Sequence, residues 1–164
     1  MRVGIGYDIH RFGGQRPLKL GGVTIPFGRG LAGHSDADVL LHALADALLG
    51  AIAAPDLGEQ FPSDDPRYRH ADSRAFVAFA ARQLRARGWI VSNVDATIIA
   101  DAPKLVGYKP KMAQAISRLL HIGATQVSVK AKTTEAFPPG KSGIAAQAIV
   151  LLRGRGRSSG SATQ

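Results

Sequence analysis

The chain opens with Arg2-Val-Gly-Ile-Gly-Tyr-Asp-Ile-His10, a short apolar run that predicts a β-strand over residues 2–7 and ends in an acid and a histidine. Side chains at i and i+2 of a strand project from the same face, so Asp8 and His10 reach one point in space. A converging carboxylate and imidazole form half of a site for zinc or another divalent metal, because structural zinc takes four protein ligands and catalytic zinc usually three. The alternative for this pair is a capped strand end.

The missing metal ligand should be a histidine or an acid, because the chain contains no cysteine. His42 is the best candidate, within an apolar helix predicted from residue 37 to about 53. Asp38, His42 and Asp46 recur every four residues and so line one polar stripe of that helix. The stripe indicates either a histidine satisfied by a neighbouring aspartate or, as we favour, a metal ligand whose other ring nitrogen is oriented by a second carboxylate. Ser35 with Asp38 predicts a capping box at the helix start.

Length and composition indicate one globular domain, predicted over residues 1–152, followed by a disordered Arg/Gly/Ser-rich tail over residues 153–164. Apolar residues make up 45% and charged residues 20%, which is typical of neither a disordered nor a membrane protein. No apolar run is long enough for a bilayer, and no signal-peptide pattern precedes the first strand. We therefore expect a cytoplasmic protein without disulfides and without a membrane partner.

The net charge of +9 includes three arginines of the predicted tail, and the rest of the chain is still basic. A basic balance suits a polyanionic ligand, either nucleic acid or a phosphorylated small molecule. The charge alone leaves both open.

The pattern of apolar residues predicts an α+β fold in which helices pack on one face of a mixed β-sheet, forming a single two-layer domain. Two glycines between residues 18–20 and 23–25 predict a hairpin. Further strands are predicted over residues 89–100, 126–132 and 144–152, and helices from Asp72 or Ser73 to Arg87 and from about Pro110. The strand over 89–100 alternates apolar and polar side chains, so its outer face should meet solvent or another subunit. Residues 54–71 contain little predicted regular structure and resemble a binding loop.

Several motifs in order resemble the 2-C-methyl-D-erythritol 2,4-cyclodiphosphate synthase family, an enzyme family of the non-mevalonate route to isoprenoids. The resemblance extends to about Leu152. The motifs are Gly4-Ile-Gly-Tyr-Asp-Ile-His10, His34-Ser-Asp-Ala-Asp-Val39, Leu41-His-Ala-Leu-Ala-Asp-Ala-Leu-Leu-Gly50, Phe61-Pro-Ser-Asp-Asp-Pro66, Ala71-Asp-Ser73, Ala102-Pro-Lys104 and Lys130-Ala-Lys-Thr-Thr-Glu135.

The resemblance implies a phosphorus-oxygen lyase. In this reaction the 2-phosphate of 4-diphosphocytidyl-2-C-methyl-D-erythritol 2-phosphate attacks the β-phosphorus, forming the cyclic diphosphate and expelling CMP. Such chemistry depends on positioning and charge neutralisation rather than on covalent catalysis. Family members are homotrimers whose cytidine pocket and zinc site come from adjacent subunits, so the resemblance also implies a homotrimer.

The resemblance further implies a role for individual residues. Zn²⁺ would be held by Asp8, His10 and His42, and a second ion, Mg²⁺ or Mn²⁺, by Glu135. The transition state would be stabilised by His34 and Thr133, with His34 and the Ser35 N–H expected at a helix N-terminus. The erythritol hydroxyls would bind Asp56 and Gly58, and Lys104 would lie near the phosphates. The other implied substrate contacts are Leu57, Phe61, Pro62, Ser63, Asp64, Asp65, Ala100, Asp101, Ala102, Pro103, Leu105, Val106, Lys132, Thr134, Phe137 and Lys141.

The sequence departs from the family pattern in two places. Lys132 stands where many members have threonine, and the segment after Glu135 is shorter than usual, with Phe137 and Lys141 in place of an aromatic and a basic contact. Two other functions compete with the cyclase. A metal-dependent phosphohydrolase would use a metal-bound water. A basic nucleic-acid-binding domain fits the charge, but the basic residues are scattered and no binding motif is present, so we expect no nucleic-acid partner.

Overall fold

A five-stranded mixed sheet forms one layer of the protein and three long helices form the other. The computed structural model describes residues 1–135 and 143–155. The strands are β1 (Arg2–Gly14), β2 (Leu18–Leu20), β3 (Val23–Ile25), β4 (Gly30–Leu31), β5 (Trp89–Ile99), β6 (Val127–Lys132) and β7 (Gly143–Gly154), and the helices are α1 (Val39–Ala51), α2 (Leu57–Gln60), α3 (Ser73–Ala86) and α4 (Lys109–Leu120). The loop predicted over residues 54–71 thus contains the one-turn helix α2, and it also forms a short 3₁₀ turn.

The strand order is β4-β1-β7-β5-β6, and β2 and β3 form the separate predicted hairpin. Strand β6 runs parallel to β5, whereas the other neighbours are antiparallel, so the predicted mixed sheet is confirmed. Strand β7 continues two residues beyond its predicted end, pairing Gly154 with Trp89. The rest of the predicted tail, residues 156–164, lies outside the described residues.

Strand β1 extends to Gly14, seven residues beyond the strand predicted over residues 2–7. The cause is pairing with segments distant in sequence. Strand β7 accompanies β1 as far as the pair Arg11 and Gly143, and β4 then pairs at Phe12 and Leu31. Asp8 and His10 therefore lie inside a long strand, where pairing with Ala146 and Ile144 of β7 fixes their direction.

Two glycines on β1 set how closely α1 approaches the sheet. A Cβ atom on Gly4 would lie 1.9 Å from the carbonyl oxygen of Ala47, and one on Gly6 would lie 2.0 Å from that of Ala43. Two strand residues span about 6.6 Å and four helical residues about 6 Å. The step from Gly4 to Gly6 on β1 therefore matches the step from Ala47 to Ala43 on α1. The next residue of β1 on this face, Asp8, therefore lies against the first turns of α1, where it contacts His42.

The helices cover one face of the sheet, and the opposite face is open. Val94, Ala96 and Ile98 of β5 are buried beneath the helices, as their alternation predicted. On the open face of β1 the side chains are large, apolar and between 55% and 65% exposed: Val3, Ile5, Tyr7 and Ile9. The predicted outer face is therefore polar on β5 but apolar on β1. We name these four β1 side chains the apolar strip. Within residues 1–135 and 143–155, no helix has the length and apolar character needed to cross a bilayer.

Asp38, rather than Ser35, caps α1, so the predicted capping box is wrong. The buried Asp38 carboxylate accepts hydrogen bonds from the backbone N–H groups of Leu41, Gly21 and Gly22. Both glycines have positive φ angles, which points their N–H groups inward from the hairpin turn. Asp38 therefore joins the β2–β3 hairpin to the start of α1, and its neighbour Ser35 is left for another role.

Replacing Asp38 by alanine is expected to lower the free energy of unfolding by about 3 kcal/mol, because it removes the helix cap and leaves buried N–H donors unpaired. The matched control is Asp72→Ala, which removes the more exposed cap of α3 and should cost only about 1 kcal/mol. Urea unfolding of both variants measures the difference. Equal losses would show that the bonds from the hairpin contribute nothing.

Candidate metal centre and substrate clefts

The predicted ligands Asp8, His10 and His42 meet at one point between β1 and α1. Asp8 Oδ2 lies 2.9 Å from His10 Nε2 and 3.0 Å from His42 Nδ1, and the two ring nitrogens are 3.1 Å apart. The ligand atoms of tetrahedral zinc, each about 2.0–2.1 Å from the ion, lie roughly 3.3 Å from one another. One carboxylate and two imidazoles at these separations fit a divalent metal and leave a fourth position for another ligand. The geometry of Asp8 and His10 therefore favours a metal site over the alternative interpretation of this pair as a capped strand end.

The backbone fixes the orientation of the His10 ring. Its Nδ1 lies 2.8 Å from the carbonyl oxygen of Ala32, in the segment that follows β4. A carbonyl only accepts hydrogen bonds, so Nδ1 carries the proton and the lone pair on Nε2 faces the metal position.

A chain of polar side chains fixes the other histidine. His42 Nε2 lies 2.9 Å from the Ser73 hydroxyl and 3.1 Å from the Ser35 hydroxyl. Ser73 in turn donates its hydroxyl proton to Asp36, and Asp36 pairs with Lys19 at 3.1 Å. With its own proton committed to Asp36, the Ser73 oxygen accepts from the ring, which places the proton on Nε2 and leaves Nδ1 as the ligand atom.

This arrangement corrects the predicted support for His42. A second carboxylate was expected from the polar stripe of α1, but Asp38 is used as the helix cap and Asp46 accepts from the backbone N–H of Leu57. The carboxylate that supports the ring is Asp36, which acts through Ser73 from outside α1. Ser73 begins α3, and Asp72 is its cap. A serine at a helix start resembles an ordinary cap in sequence, so only the fold shows its contact with His42.

Ser73→Ala is expected to weaken divalent-metal affinity by about 10–100-fold, because the His42 ring loses the partner that orients it. Ser73→Thr retains the hydroxyl and should keep affinity within about threefold of the parent. Competition with a chromophoric chelator measures both values. If the threonine variant lost as much affinity as the alanine variant, crowding at the start of α3 rather than the hydroxyl would be the cause.

Charges at the centre shift two pKa values in opposite directions. Burial alone would raise the pKa of Asp8, but hydrogen bonds from His10 and His42 and their charges hold it well below its usual range. Burial would lower the pKa of His10, yet the hydrogen bond and charge of Asp8 raise it above the ordinary value. Asp8 is therefore ionised at neutral pH. A metal that binds here displaces any proton that His10 holds, so metal binding is coupled to proton release.

A cleft of about 200 Å³ opens beside the metal ligands. It brings together many of the residues predicted to bind substrate, which are His34, Ser35, Leu57, Gly58, Phe61, Pro62 and Ser63. Gly33, Tyr68 and Phe76 also line it and were not predicted. Phe61 packs against Tyr68 and Phe76 with ring centroids 5.0 and 4.6 Å apart, which anchors the loop after α2 to α3. An aromatic at each of these positions is the only sequence signal that could have indicated the cluster.

A second cleft, of about 290 Å³, lies between the loop after β5 and the end of β6. Its lining contains the predicted residues Ala100, Asp101, Pro103, Lys104, Leu105, Val106, Lys132 and Thr133. Asp101 accepts hydrogen bonds from the backbone and hydroxyl of Thr134, which ties the loop after β5 to the end of β6. The two clefts share no lining residue. Within one chain, the predicted site is therefore divided into two separate halves.

The remaining predicted residues lie outside both cleft linings. Asp56 caps α2 and accepts from the Glu59 N–H at 2.8 Å, and Asp65 pairs with Arg67. Asp64 is exposed, and Ala102 precedes Pro103 at the second cleft. Glu135 accepts a hydrogen bond from Thr133. Phe137 and Lys141 lie outside the described residues.

His34 and Ser35 do not lie at a helix N-terminus as predicted. Helix α1 begins four residues after Ser35, and Asp38 already accepts from its first turn. The two residues instead belong to a loop fixed from the other side, because the carbonyl of His34 accepts from His70 N–H at 2.7 Å. Arg16 also donates to the Ser35 carbonyl. The loop therefore presents His34 to the cleft without help from the helix dipole.

Comparison with known proteins identifies the family of this chain. The model of the YgbB family matches residues 1–153. A 2-C-methyl-D-erythritol 2,4-cyclodiphosphate synthase of Geobacillus thermodenitrificans is 51% identical over 154 residues, which cover 93% of this chain and 96% of the relative. A solved synthase structure with CDP bound has a TM-score of 0.86 at 38% identity, covering 93% of this chain and 100% of that one.

The bifunctional IspDF from Campylobacter jejuni is similar in structure as well, with a TM-score of 0.89 at 39% identity over 93% of this chain. This chain spans 42% of that longer protein. The fold, the metal-binding triad and nearly full-length similarity therefore agree: the chain belongs to the YgbB family, together with the 2-C-methyl-D-erythritol 2,4-cyclodiphosphate synthases that it resembles from end to end of the matched region.

Proposed function

We propose that this protein converts 4-diphosphocytidyl-2-C-methyl-D-erythritol 2-phosphate to 2-C-methyl-D-erythritol 2,4-cyclodiphosphate and CMP. The observation that carries the proposal is the Asp8, His10 and His42 centre at the edge of a cleft lined by His34 and Ser35. Relatives about half identical over nearly the full length carry the name of this synthase. The enzyme is a phosphorus-oxygen lyase of isoprenoid synthesis. A cytoplasmic location stays a prediction.

The reaction is an internal exchange at phosphorus. An oxygen of the 2-phosphate forms a bond to the β-phosphorus, and the bond from that phosphorus to the bridging oxygen breaks, so CMP leaves with the bridging oxygen. No water is consumed. The protein must bend a flexible polyanion until the attacking and leaving oxygens lie in line, and must offset the negative charge that accumulates.

Each predicted residue has a place in this task. Asp8, His10 and His42 would hold Zn²⁺, and Glu135 would hold Mg²⁺ or Mn²⁺ with its hard oxygen ligand. When bound, these ions supply Lewis-acid polarisation of phosphate oxygens and a template for their orientation. His34 and the Ser35 backbone bind the attacking phosphate, and Thr133 donates to the diphosphate. Lys104 and Lys132, both at the second cleft, add positive charge beside it.

Binding of the rest of the substrate follows from the two clefts. Asp56 and Gly58 bind the erythritol hydroxyls. The loop over residues 100–106, which lines the second cleft, reads the cytosine edge. Residues 61–65 would close over the substrate from the side of α2. A cytidine-binding half is supported by the CDP that occupies a similar solved synthase.

We propose that a homotrimer brings the two halves together, with each active site between adjacent subunits. Two observations support this. The metal-side cleft and the Lys104 cleft share no residue within one chain. The apolar strip of β1 leaves large side chains in water, and exposed apolar patches of this kind mark protein–protein contact sites. The sheet face is thus the surface that would be buried between subunits.

Phosphorus NMR on the metal-loaded protein with the diphosphocytidyl substrate and Mg²⁺ tests the reaction directly. Stoichiometric CMP and a cyclic diphosphate are expected. Inorganic phosphate would instead identify the rival phosphohydrolase, in which a metal-bound water attacks. Substrate returned unchanged by protein that binds zinc would contradict the proposed activity while leaving the metal site in place.

A further inference from the structure

A third cavity, of about 420 Å³, lies at the end of the sheet opposite to the metal centre. Asp8 pairs with Ala146 on β7, whereas the cavity is lined by Arg153, seven residues later, or roughly 23 Å along the strand. Its walls come from the C-terminal ends of α3 and α4, the start of β5 and the end of β7. It is larger than either predicted substrate cleft and belongs to neither.

Three arginines, Arg85, Arg153 and Arg155, converge on this cavity over an apolar floor that includes Leu84, Val91 and Leu120. Arg85 comes from α3, and the other two from β7 and the residue after it. The side chain of Trp89 forms another part of the wall. A cavity with an apolar floor, one aromatic ring and a few convergent charges has the composition of a small-molecule site.

The three arginines are not used to hold the fold together. Within residues 1–135 and 143–155, none of their guanidinium groups donates a hydrogen bond or lies within 4 Å of a carboxylate. Neighbouring Arg2 and Arg87, by contrast, donate to the carbonyls of Ala51 and Ile52 at 3.1 and 2.9 Å. All the aspartates and glutamates of the sequence lie within the described residues. The cavity therefore gathers positive charge that no aspartate or glutamate of the described residues pairs with.

We propose that this cavity binds a small organic phosphate, with the phosphate held by Arg85, Arg153 and Arg155 and the non-polar part packed against the half-buried Trp89 and Ile122. The planar guanidinium fork matches phosphate oxygens with paired hydrogen bonds. The half-buried apolar side chains of the lining, Trp89, Ile90 and Ile122, favour a ligand with more than a phosphate group, since inorganic phosphate alone would leave them in water. The site is separate from the proposed catalytic centre, so the proposal does not depend on the proposed reaction.

Trp89 is the only tryptophan of the chain, so tryptophan fluorescence reports on the surroundings of this one side chain, which lines the cavity. Titration with phenyl phosphate at fixed ionic strength should give a saturable change, at least about tenfold tighter than with inorganic phosphate. Arg85→Gln and Arg153→Gln should each weaken phenyl phosphate binding by about tenfold. The matched control is Arg82→Gln, which removes the same charge from α3 outside the cavity and should change affinity less than twofold. Because the metal centre also suits phosphate, the titration is repeated in His42→Ala, where the Trp89 response should be unchanged.

The ¹H–¹⁵N signal of the Trp89 indole gives a second readout that does not require a fluorescence change. No saturable response in either measurement would overturn the proposal. Equal weakening in Arg82→Gln and Arg85→Gln would also overturn it, because it would assign binding to diffuse positive charge. A further competition experiment uses random duplex DNA. If the DNA displaced phenyl phosphate and bound the parent, Arg82→Gln and Arg85→Gln equally well, the cavity would be part of a nucleic-acid surface instead of a small-molecule site.

Discussion

His42→Ala is expected to reduce divalent-metal affinity by on the order of 10³-fold and to reduce synthase activity at least as much. The variant removes one of the three groups that converge on the metal position, and binding free energies of about 10–16 kcal/mol for four-ligand zinc sites correspond to several kcal/mol per ligand. It also leaves the Asp8 carboxylate with one histidine partner instead of two. Metal affinity is measured by chelator competition, and activity by release of CMP.

The control for this variant is His70→Asn. His70 is exposed, lies outside both cleft linings and has a left-handed backbone that asparagine tolerates. Metal affinity and activity should stay within twofold of the parent. If His42→Ala kept the parental metal affinity, His42 and therefore α1 would not contribute a ligand to the metal centre. Full activity without bound metal would show that the centre has no part in the reaction.

Ile5→Glu is expected to convert the proposed homotrimer to monomers and to abolish activity while leaving metal affinity unchanged. Ile5 is 59% exposed in the middle of the apolar strip, so a charge there does not disturb the core of the subunit. Between subunits the same charge would be buried without a partner, which costs several kcal/mol at each copy of the contact. Sedimentation velocity, CMP release and chelator competition measure the three properties.

Gln114→Glu is the matched control for that variant, because it introduces the same charge at an exposed position of α4, on the other layer of the protein. It should leave the association state and the activity as they are in the parent. An Ile5→Glu protein that is monomeric and fully active would contradict a site shared between subunits. One that keeps the oligomer would place the contact elsewhere on the molecule.

Alternation of side chains and turn glycines predicted the elements that depend only on residues close in sequence. The alternation of Val94, Ala96 and Ile98 identified the buried face of β5, and two glycines identified the β2–β3 hairpin. The length of β1 was not predictable, because it depends on pairing with β7, more than a hundred residues away in sequence. The apolar strip was missed for a related reason. In β1 the glycines, not the large apolar side chains, face the helix layer, since α1 lies too close for any side chain.

The metal ligands were predictable because spacing on a strand and on a helix fixes which side chains share a face. The side chains that support them were not. Asp38 was expected beside His42, but three backbone N–H groups compete for its carboxylate and hold it at the hairpin. Ser73 and Asp36 reach His42 from outside α1, through a contact that only the packing of α3 on α1 creates.

The separation of the two clefts has a genetic consequence. In the proposed homotrimer, a subunit lacking the metal half and a subunit lacking the cytidine half can complement each other, because one interface in each mixed ring receives both intact halves. Random mixing of equal amounts of His42→Ala and Lys104→Ala chains should restore about one quarter of the parental sites. Two inactive alleles expressed together would then support growth that neither supports alone.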